Sequence, residues 1–234
     1  MKILSLNIKS FGSGKDSKLG DFKKLCRAHK PNIVALLKTK LHSVKDSWIF
    51  SLWGSRDCKF IQKEMTGKSG GQLIIWDVNY LDVFDTFICD FFISVRGIWK
   101  ISGQIVNMIN VYGPHNDIDK HKMWDALSKE IQKGNGEGFV LCGDFNEVRD
   151  ETERLNSDYH AHRAKAFNDF IASNNLIDLP MGGRKFTRVS DDGVKYSKLD
   201  HFLITKDFNL MWKNFSVVAL ERKISDHCPI FLKG

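Results

Sequence analysis

The sequence has no long apolar run; none approaches the ~20 residues that a membrane-spanning helix requires. The opening Met1-Lys2-Ile3-Leu4-Ser5-Leu6 is too short, and meets polar residues too soon, to read as a secretory signal. Cysteine is sparse and scattered. Cys26, Cys58, Cys89, Cys142 and Cys228 are odd in number and form no C-x-x-C pair. That argues against a disulfide framework or a thiolate zinc site and makes a reducing compartment the default. Internal repeats, low-complexity tracts and linkers are also missing. The expectation is one domain over residues 1–234, intracellular (nuclear or cytoplasmic), not secreted and without a membrane partner.

What is present suits a globular chain with a cationic bias. A hydrophobic share of 42% can build a core that buries about 70% of the unfolded chain's surface. The net charge of +7 is compatible with a polyanionic partner, and equally with a solvated basic face.

Residues 2–8 read as a strand, 9–16 as a Gly/Ser/Lys-rich loop, and 19–29 as a helix with Leu19, Phe22, Leu25 and Cys26 at helical spacing. Pro31 ends that helix, and 32–37 is a second buried strand. Residues 72–76, 81–88, 92–101 and 104–112 are β-branched or aromatic runs with short polar breaks, as in antiparallel hairpins. Met123, Trp124, Leu127 and Ile131 mark an amphipathic helix, followed by a strand at 138–143 and a helix at 164–172. Residues 181–197 form a polar stretch before strands at 199–205, 215–220 and 229–232. Strands followed by a helix in each half predict an α+β fold. Its form is a four-layer α/β/β/α sandwich of two packed mixed sheets with outer helices.

The chemistry gathers at the ends of the apolar runs. Val140-Leu141-Cys142 leads into Gly143-Asp144-Phe145-Asn146, where Gly143 permits a tight turn and delivers Asp144 and Asn146. Asp144 could take a proton from water and Asn146 could orient a phosphate, although Gly, Asp and Asn are also ordinary turn formers. Ser225-Asp226-His227-Cys228-Pro229 reads as a second strand end bearing an acid and an imidazole suited to charge stabilisation. Asp200 heads an apolar strand and could orient His227, or be satisfied by local backbone. Tyr112 ends the strand before Gly113-Pro114, its hydroxyl either a phosphate donor or simply the edge of a core ring. Asn7 ends the first strand. Several polar strand ends on one rim predict a cleft.

Three lookalikes carry less. Gly67-Lys68-Ser69 resembles part of a P-loop, but Gln62 occupies the first glycine position and a strand follows. His160-Ala161-His162 reads as the cap of an exposed helix start rather than a metal site. Cys142, inside a buried strand, reads as an inert core thiol.

Together these residues resemble the endonuclease/exonuclease/phosphatase superfamily, with the likeness running from Lys2 to Leu232. The motifs are Ile3-Leu4-Ser5-Leu6-Asn7-Ile8, Pro31-Asn32-Ile33-Val34-Ala35-Leu36, Ser69-Gly70-Gly71, Asn110-Val111-Tyr112-Gly113-Pro114, Gly143-Asp144-Phe145-Asn146, Leu199-Asp200 and Ser225-Asp226-His227. Within the superfamily the chain is most similar to the apurinic-type endonuclease domain of LINE (non-LTR) retrotransposons, especially plant ones. The resemblance implies Mg²⁺-dependent hydrolysis of a duplex-DNA phosphodiester, with Mn²⁺ as the alternative ion, leaving a 3′-hydroxyl. It implies that Asn7 positions the metal and Asp226 sits near it as a ligand or indirect partner. Asp144 would activate water, Asn146 and Tyr112 would hold the phosphate, and His227 with Asp200 would stabilise the transition state. Arg184, Lys185 and Arg188 are candidates for the duplex backbone, with solvated loop charges as the alternative. A monomer is expected. No reverse transcriptase follows within these residues, as in an excised domain, a truncated element or a stand-alone copy.

The departures bear on activity. The family's acidic residue after the second strand is replaced in Leu37-Lys38-Thr39-Lys40, so Lys38 occupies the metal-binding Glu position. A cation about 4 Å from Mg²⁺ adds repulsion of order 8 kcal/mol at an effective dielectric near 20, an upper bound because the lysine stem can swing away. Leu6 and Arg188 each stand where relatives carry Trp. Weakened cleavage is therefore expected. The alternatives are a catalytically dead DNA-binding remnant and a phosphoesterase acting on a small ester or RNA.

Overall fold

The computed structural model describes residues 1–11, 16–66, 69–134, 136–212 and 214–234. β1 (Lys2–Asn7) and β2 (Ile33–Leu37) are apolar on both faces. Ile3 and Ala35 enter one core cluster, while Leu4, Leu6, Val34 and Leu36 enter another. That alternation is the mark of strands covered on both sides. α1 (Asp16–His29) joins them, so β1 and β2 run parallel, with Asn7 opposite Leu37.

The chain continues through α2 (Asp46–Trp53), β3 (Cys58–Thr66), β4 (Ser69–Asp77), β5 (Leu81–Ile88), β6 (Phe92–Trp99) and β7 (Gln104–Tyr112). α3 (Asp117–Lys133) then crosses to β8 (Gly138–Asp144), parallel to β7. Asn116 caps α3 by accepting from the Asp119 N–H, and Asp117 and Asp119 complement the dipole of its first turn. The remainder is β9 (Arg154–Leu155), α4 (Ala161–Ser173), β10 (Leu176–Asp178), β11 (Met181–Gly183), β12 (Arg188–Val189), β13 (Tyr196–Ser197), β14 (Asp200–Thr205), α5 (Lys206–Met211), β15 (Ser216–Ala219) and β16 (Ile230–Lys233).

Among the described residues, one mixed sheet has the order β11-β15-β16-β1-β2-β4-β3 and a second the order β10-β14-β8-β7-β6-β5. Their facing sides share a core that includes Ile3, Ile74, Met108, Val140, Phe202 and Ile230. α1 and α2 cover the outside of the first sheet through Phe22, Ile49 and Leu52. α3 and α4 cover the second through Trp124, Leu127, Phe167 and Phe170. This is the expected α/β/β/α sandwich.

Local departures have local causes. α2 and β3 were not expected. α2 is only eight residues long and has no side-chain cap, and β3 is an edge strand interrupted by Lys59, Lys63 and Glu64. α5 also went unforeseen; Thr205 caps it by accepting from the Phe208 N–H. The polar stretch 181–197 is not irregular throughout, because it carries β11, β12 and β13. β6 stops at Trp99, whose carbonyl closes a turn by accepting from Ser102 and Gly103. Gly67 and Lys68 lie outside the described residues. His160 precedes α4 without a side-chain cap bond, and His162 pairs with Asp117 at 3.2 Å.

Candidate active site

Strand direction assembles the site. β1 ends at Asn7, and β16 runs antiparallel beside it, with Ser5 opposite Ile230. The residues just before β16 are therefore carried to the rim where β1 ends. Asp226 and His227 consequently sit ahead of a strand rather than at the end of one, which corrects the sequence expectation. An antiparallel strand presents its start where its neighbour finishes. In the second sheet, Tyr112 pairs with Asp144 at the ends of parallel β7 and β8, and Asp200 begins β14 directly opposite Asp144.

Gly143 permits this approach. Its φ is +132°, and a Cβ there would lie 2.1 Å from the Val111 carbonyl oxygen. Beyond it, Asn146 adopts a left-handed φ of 49°. Its N–H donates to Asp144 Oδ1 (3.0 Å) and its Nδ2 to the Gly113 carbonyl (2.6 Å). The turn-forming and site-forming readings of Gly143-Asp144-Phe145-Asn146 are thus one arrangement. Beneath it, buried Lys120 donates to the Asn146 carbonyl and to Glu147. Sequence reading passed over this pair, since no spacing in the chain links a helix lysine to an acid so far away.

The centre is a buried relay. Asn7 Nδ2 donates to Asp144 Oδ2 at 2.8 Å. His227 Nδ1 lies 2.8 Å from Asp200 Oδ2, and its Nε2 lies 3.6 Å from Asp144 Oδ2 and 3.4 Å from Asn7 Nδ2. Burial alone would lower the His227 pKa, but Asp200 and then Asp144 outweigh it and hold it above the usual imidazole range. An imidazolium clamped between two carboxylates is poised to give up a proton or to stabilise developing negative charge.

The rim is cationic. Lys9, which sequence reading did not single out, reaches Asp226 Oδ2 at 3.2 Å and Asp191 Oδ1 at 2.8 Å. Its position two residues past Asn7 at a strand end was the available signal. Arg188 is bridged to His227 and brings Nε to 3.7 Å from Asp226 Oδ2. Burial opposes ionisation of Asp226, yet His227 and Lys9 hold its pKa below the usual carboxylate range. Lys38 has a left-handed φ of 51° and places Nζ 5.0 Å from the Tyr112 ring centroid. His115, also unforeseen, is held below its usual value by burial and by Lys38, with Asp144 opposing. Arg184 and Lys185 are exposed at the end of β11 and beyond, and Lys185 stacks over Phe186. Of the three candidate duplex contacts, only Arg188 meets the central cluster.

Asp144, Asp200 and His227 each offer a ligand atom within 4.8 Å of the others, so they form a possible acidic/imidazole metal group among the described residues. They are also nearly solvent-free, with His227 hydrogen-bonded to Asp200 and 3.6 Å from Asp144. The seat implied by the resemblance does not fit a hard dication. Asn7 Oδ1 accepts the Lys9 N–H at 3.3 Å, Asp226 Oδ2 faces Lys9 and Arg188, and position 38 supplies an ammonium.

The model of the family described as endonuclease-reverse transcriptase matches residues 106–231, more than half of the chain. The chain belongs to that family. The matched span holds Tyr112, Asp144, Asn146, Asp200 and His227, while Asn7, Lys9 and Lys38 precede it. A Neisseria 3′ phosphatase bound to a product DNA hairpin superposes with a TM-score of 0.76 at 19% identity, covering 100% of this chain and 98% of that one. The endonuclease domain of TRAS1, a telomere-specific non-LTR retrotransposon, gives 0.72 at 14% identity over 99% and 96%. These likenesses show the fold. The Transposon TX1 uncharacterized 149 kDa protein of Xenopus laevis is 24% identical over 139 residues, 56% of this chain and 10% of that relative's length. This endonuclease-reverse transcriptase family member thus shares its fold with a DNA-bound 3′ phosphatase and with a retrotransposon endonuclease domain.

Proposed function

We propose that the chain is the duplex-DNA phosphodiesterase domain of a LINE-type retrotransposon, with DNA binding kept and Mg²⁺-dependent cleavage impaired. The observation that carries this reading is the Asn7–Asp144–His227–Asp200 cluster, two buried hydrogen-bonded pairs drawn from both sheets with His227 Nε2 at 3.6 Å from Asp144 Oδ2.

Asp144 is fixed by Asn7 and by the Asn146 N–H, and so presents a carboxylate that can accept a proton from an attacking water. Asp200 sets the orientation of His227, whose Nε2 faces the same space and stabilises charge gathering on phosphate oxygens. Tyr112, opposite Asp144 at the strand ends, and the second amide N–H of Asn146, whose first donates to Gly113, would hold the phosphate. Arg184, Lys185 and Arg188 supply positive charge along the approach of a duplex. Lys38 supports the impaired reading, because an ammonium in the position of a carboxylate ligand repels the ion that cleavage by the resembling family requires.

The test is nicking of supercoiled plasmid with and without Mg²⁺, by the natural chain and by Lys38→Glu, beside salt-dependent duplex binding. The expected result is duplex affinity that falls steeply with salt, weak nicking by the natural chain, and a sharp Mg²⁺-dependent rise in Lys38→Glu. Equal nicking by both forms refutes the impairment. Turnover of a small phosphate ester without duplex affinity refutes the DNA reading.

A further inference from the structure

We propose that the loops after β1 and β2 form a receptor for a phosphate oxyanion that works without a divalent cation, with Lys9 and Lys38 standing where an ion would otherwise neutralise the phosphate. This rests on the phosphodiester-directed reading above and adds how this copy recognises its ligand.

The two loops are locked together. The Ser10 N–H donates to the Lys38 carbonyl at 2.7 Å and the Phe11 N–H to the Thr39 carbonyl at 3.2 Å. Lys9 and Lys38 both take left-handed φ values, 55° and 51°. That conformation is costly for a side-chain-bearing residue and persists only where surrounding contacts impose it. The zipped loops hold both backbones at one rim, beside Asn7 and Tyr112. The oxygens an ion would use are engaged by donors: Asn7 Oδ1 by the Lys9 N–H, and Asp226 Oδ2 by Lys9 and Arg188.

The two ammonium groups are differently placed. Lys9 is anchored by Asp226 and by the exposed Asp191. An ammonium has three donors, so this pairing leaves one N–H for a ligand. Lys38 is half-buried, with Nζ over the Tyr112 ring and near enough to His115 to disfavour that imidazole's charged form, and no carboxylate pairs with it among the described residues. A cation beside a ring and an imidazole, with no counter-ion, gains from an incoming anion through a charge-assisted hydrogen bond. The two ammonium groups contribute differently: Lys38 brings a charge with no carboxylate partner among the described residues, and Lys9, already offset by Asp226 and Asp191, brings its third N–H. Unlike a metal ion, they neither coordinate a water nor activate it, so they favour holding a phosphate over cleaving it.

Binding of inorganic phosphate and of a short DNA duplex is measured by calorimetry in EDTA and again in Mg²⁺, and Mn²⁺ uptake by electron paramagnetic resonance. Phosphate affinity is expected to be unchanged between EDTA and Mg²⁺. Lys9→Gln and Lys38→Gln should each weaken it about tenfold, the loss of one charge-assisted hydrogen bond, while Lys9→Arg retains it. The double variant Lys9→Asp/Lys38→Glu should lose metal-free phosphate binding and gain Mn²⁺ uptake that the natural chain lacks. Circular dichroism confirms that each variant is folded.

Phosphate binding that requires Mg²⁺, or Mn²⁺ uptake by the natural chain equal to that of the double variant, overturns the receptor. So does indifference of phosphate affinity to both Gln substitutions. Lysine-dependent binding of inorganic phosphate without duplex binding upholds the receptor and refutes the DNA reading. Duplex binding indifferent to both lysines refutes the receptor and leaves the DNA reading standing.

Discussion

Asp200→Asn probes the relay at the carboxylate that orients His227. Asp200 Oδ2 lies 2.8 Å from His227 Nδ1, each side chain is 2% exposed, and Asp144 Oδ2 stands 3.6 Å from the opposite nitrogen. At an effective dielectric near 20 these separations correspond to attractions of about 6 and about 5 kcal/mol for a protonated imidazole. Desolvation removes several kcal/mol per ion, so the net value of the pair is smaller than either figure. Breaking one side of a buried pair costs about 3–5 kcal/mol. Because Asn is isosteric and its carbonyl still accepts from Nδ1–H, about 3 kcal/mol is expected. The sign with pH follows from the raised His227 pKa. Asp200 and Asp144 overcome the lowering effect of burial, so the folded state holds the proton more tightly than the unfolded chain. The added stability is complete below the ordinary imidazole value of about 6.5 and fades as pH rises through the higher folded value. Urea unfolding of both forms between about pH 5.5 and about pH 9 should show a gap that is widest in acid and narrows in base. Nuclear magnetic resonance of the imidazole should show His227 titrating lower in Asp200→Asn. A gap constant across that range, with His227 titrating below its ordinary value in the natural chain, refutes the charged relay.

Two further substitutions test the scaffold. Gly143→Ala places a Cβ 2.1 Å from the Val111 carbonyl at φ +132°, so about 3 kcal/mol or more should be lost, read as a lowered thermal midpoint; an unchanged midpoint refutes the close-approach argument. Lys120→Met leaves Glu147 buried with only the longer Arg154 contact of 3.9 Å and should cost about 3 kcal/mol in urea unfolding, whereas Lys120→Met/Glu147→Leu should recover part of it. Equal losses in the single and double variants refute the ion-pair account.

Much of the scaffold is written locally. Residues 138–143 are legible because a strand buried on both faces must be nearly continuously apolar, and Gly143-Asp144 closes the run with a turn former and a charge, Asp144 being the last strand residue. β3 was illegible for the opposite reason: an edge strand with one solvated face tolerates Lys59, Lys63 and Glu64, so its pattern is blurred. The same holds for β11, β12 and β13, two or three residues each, which exist only because a neighbour supplies the other half of every hydrogen bond.

The sequence by itself determined the layered fold and the types of residue available for phosphate chemistry, including the lysine at position 38. Both are properties of short segments: hydrophobic period, turn formers and the order of motifs. Only the tertiary structure decided that Asp226 and His227 arrive ahead of an antiparallel strand, that Arg188 is bridged to His227, and that Lys9 rather than open space faces Asp226. Lys9 and Asp226 are 217 positions apart in the chain, and Coulomb and hydrogen-bond energies depend on distance in space, which the chain acquires only on folding.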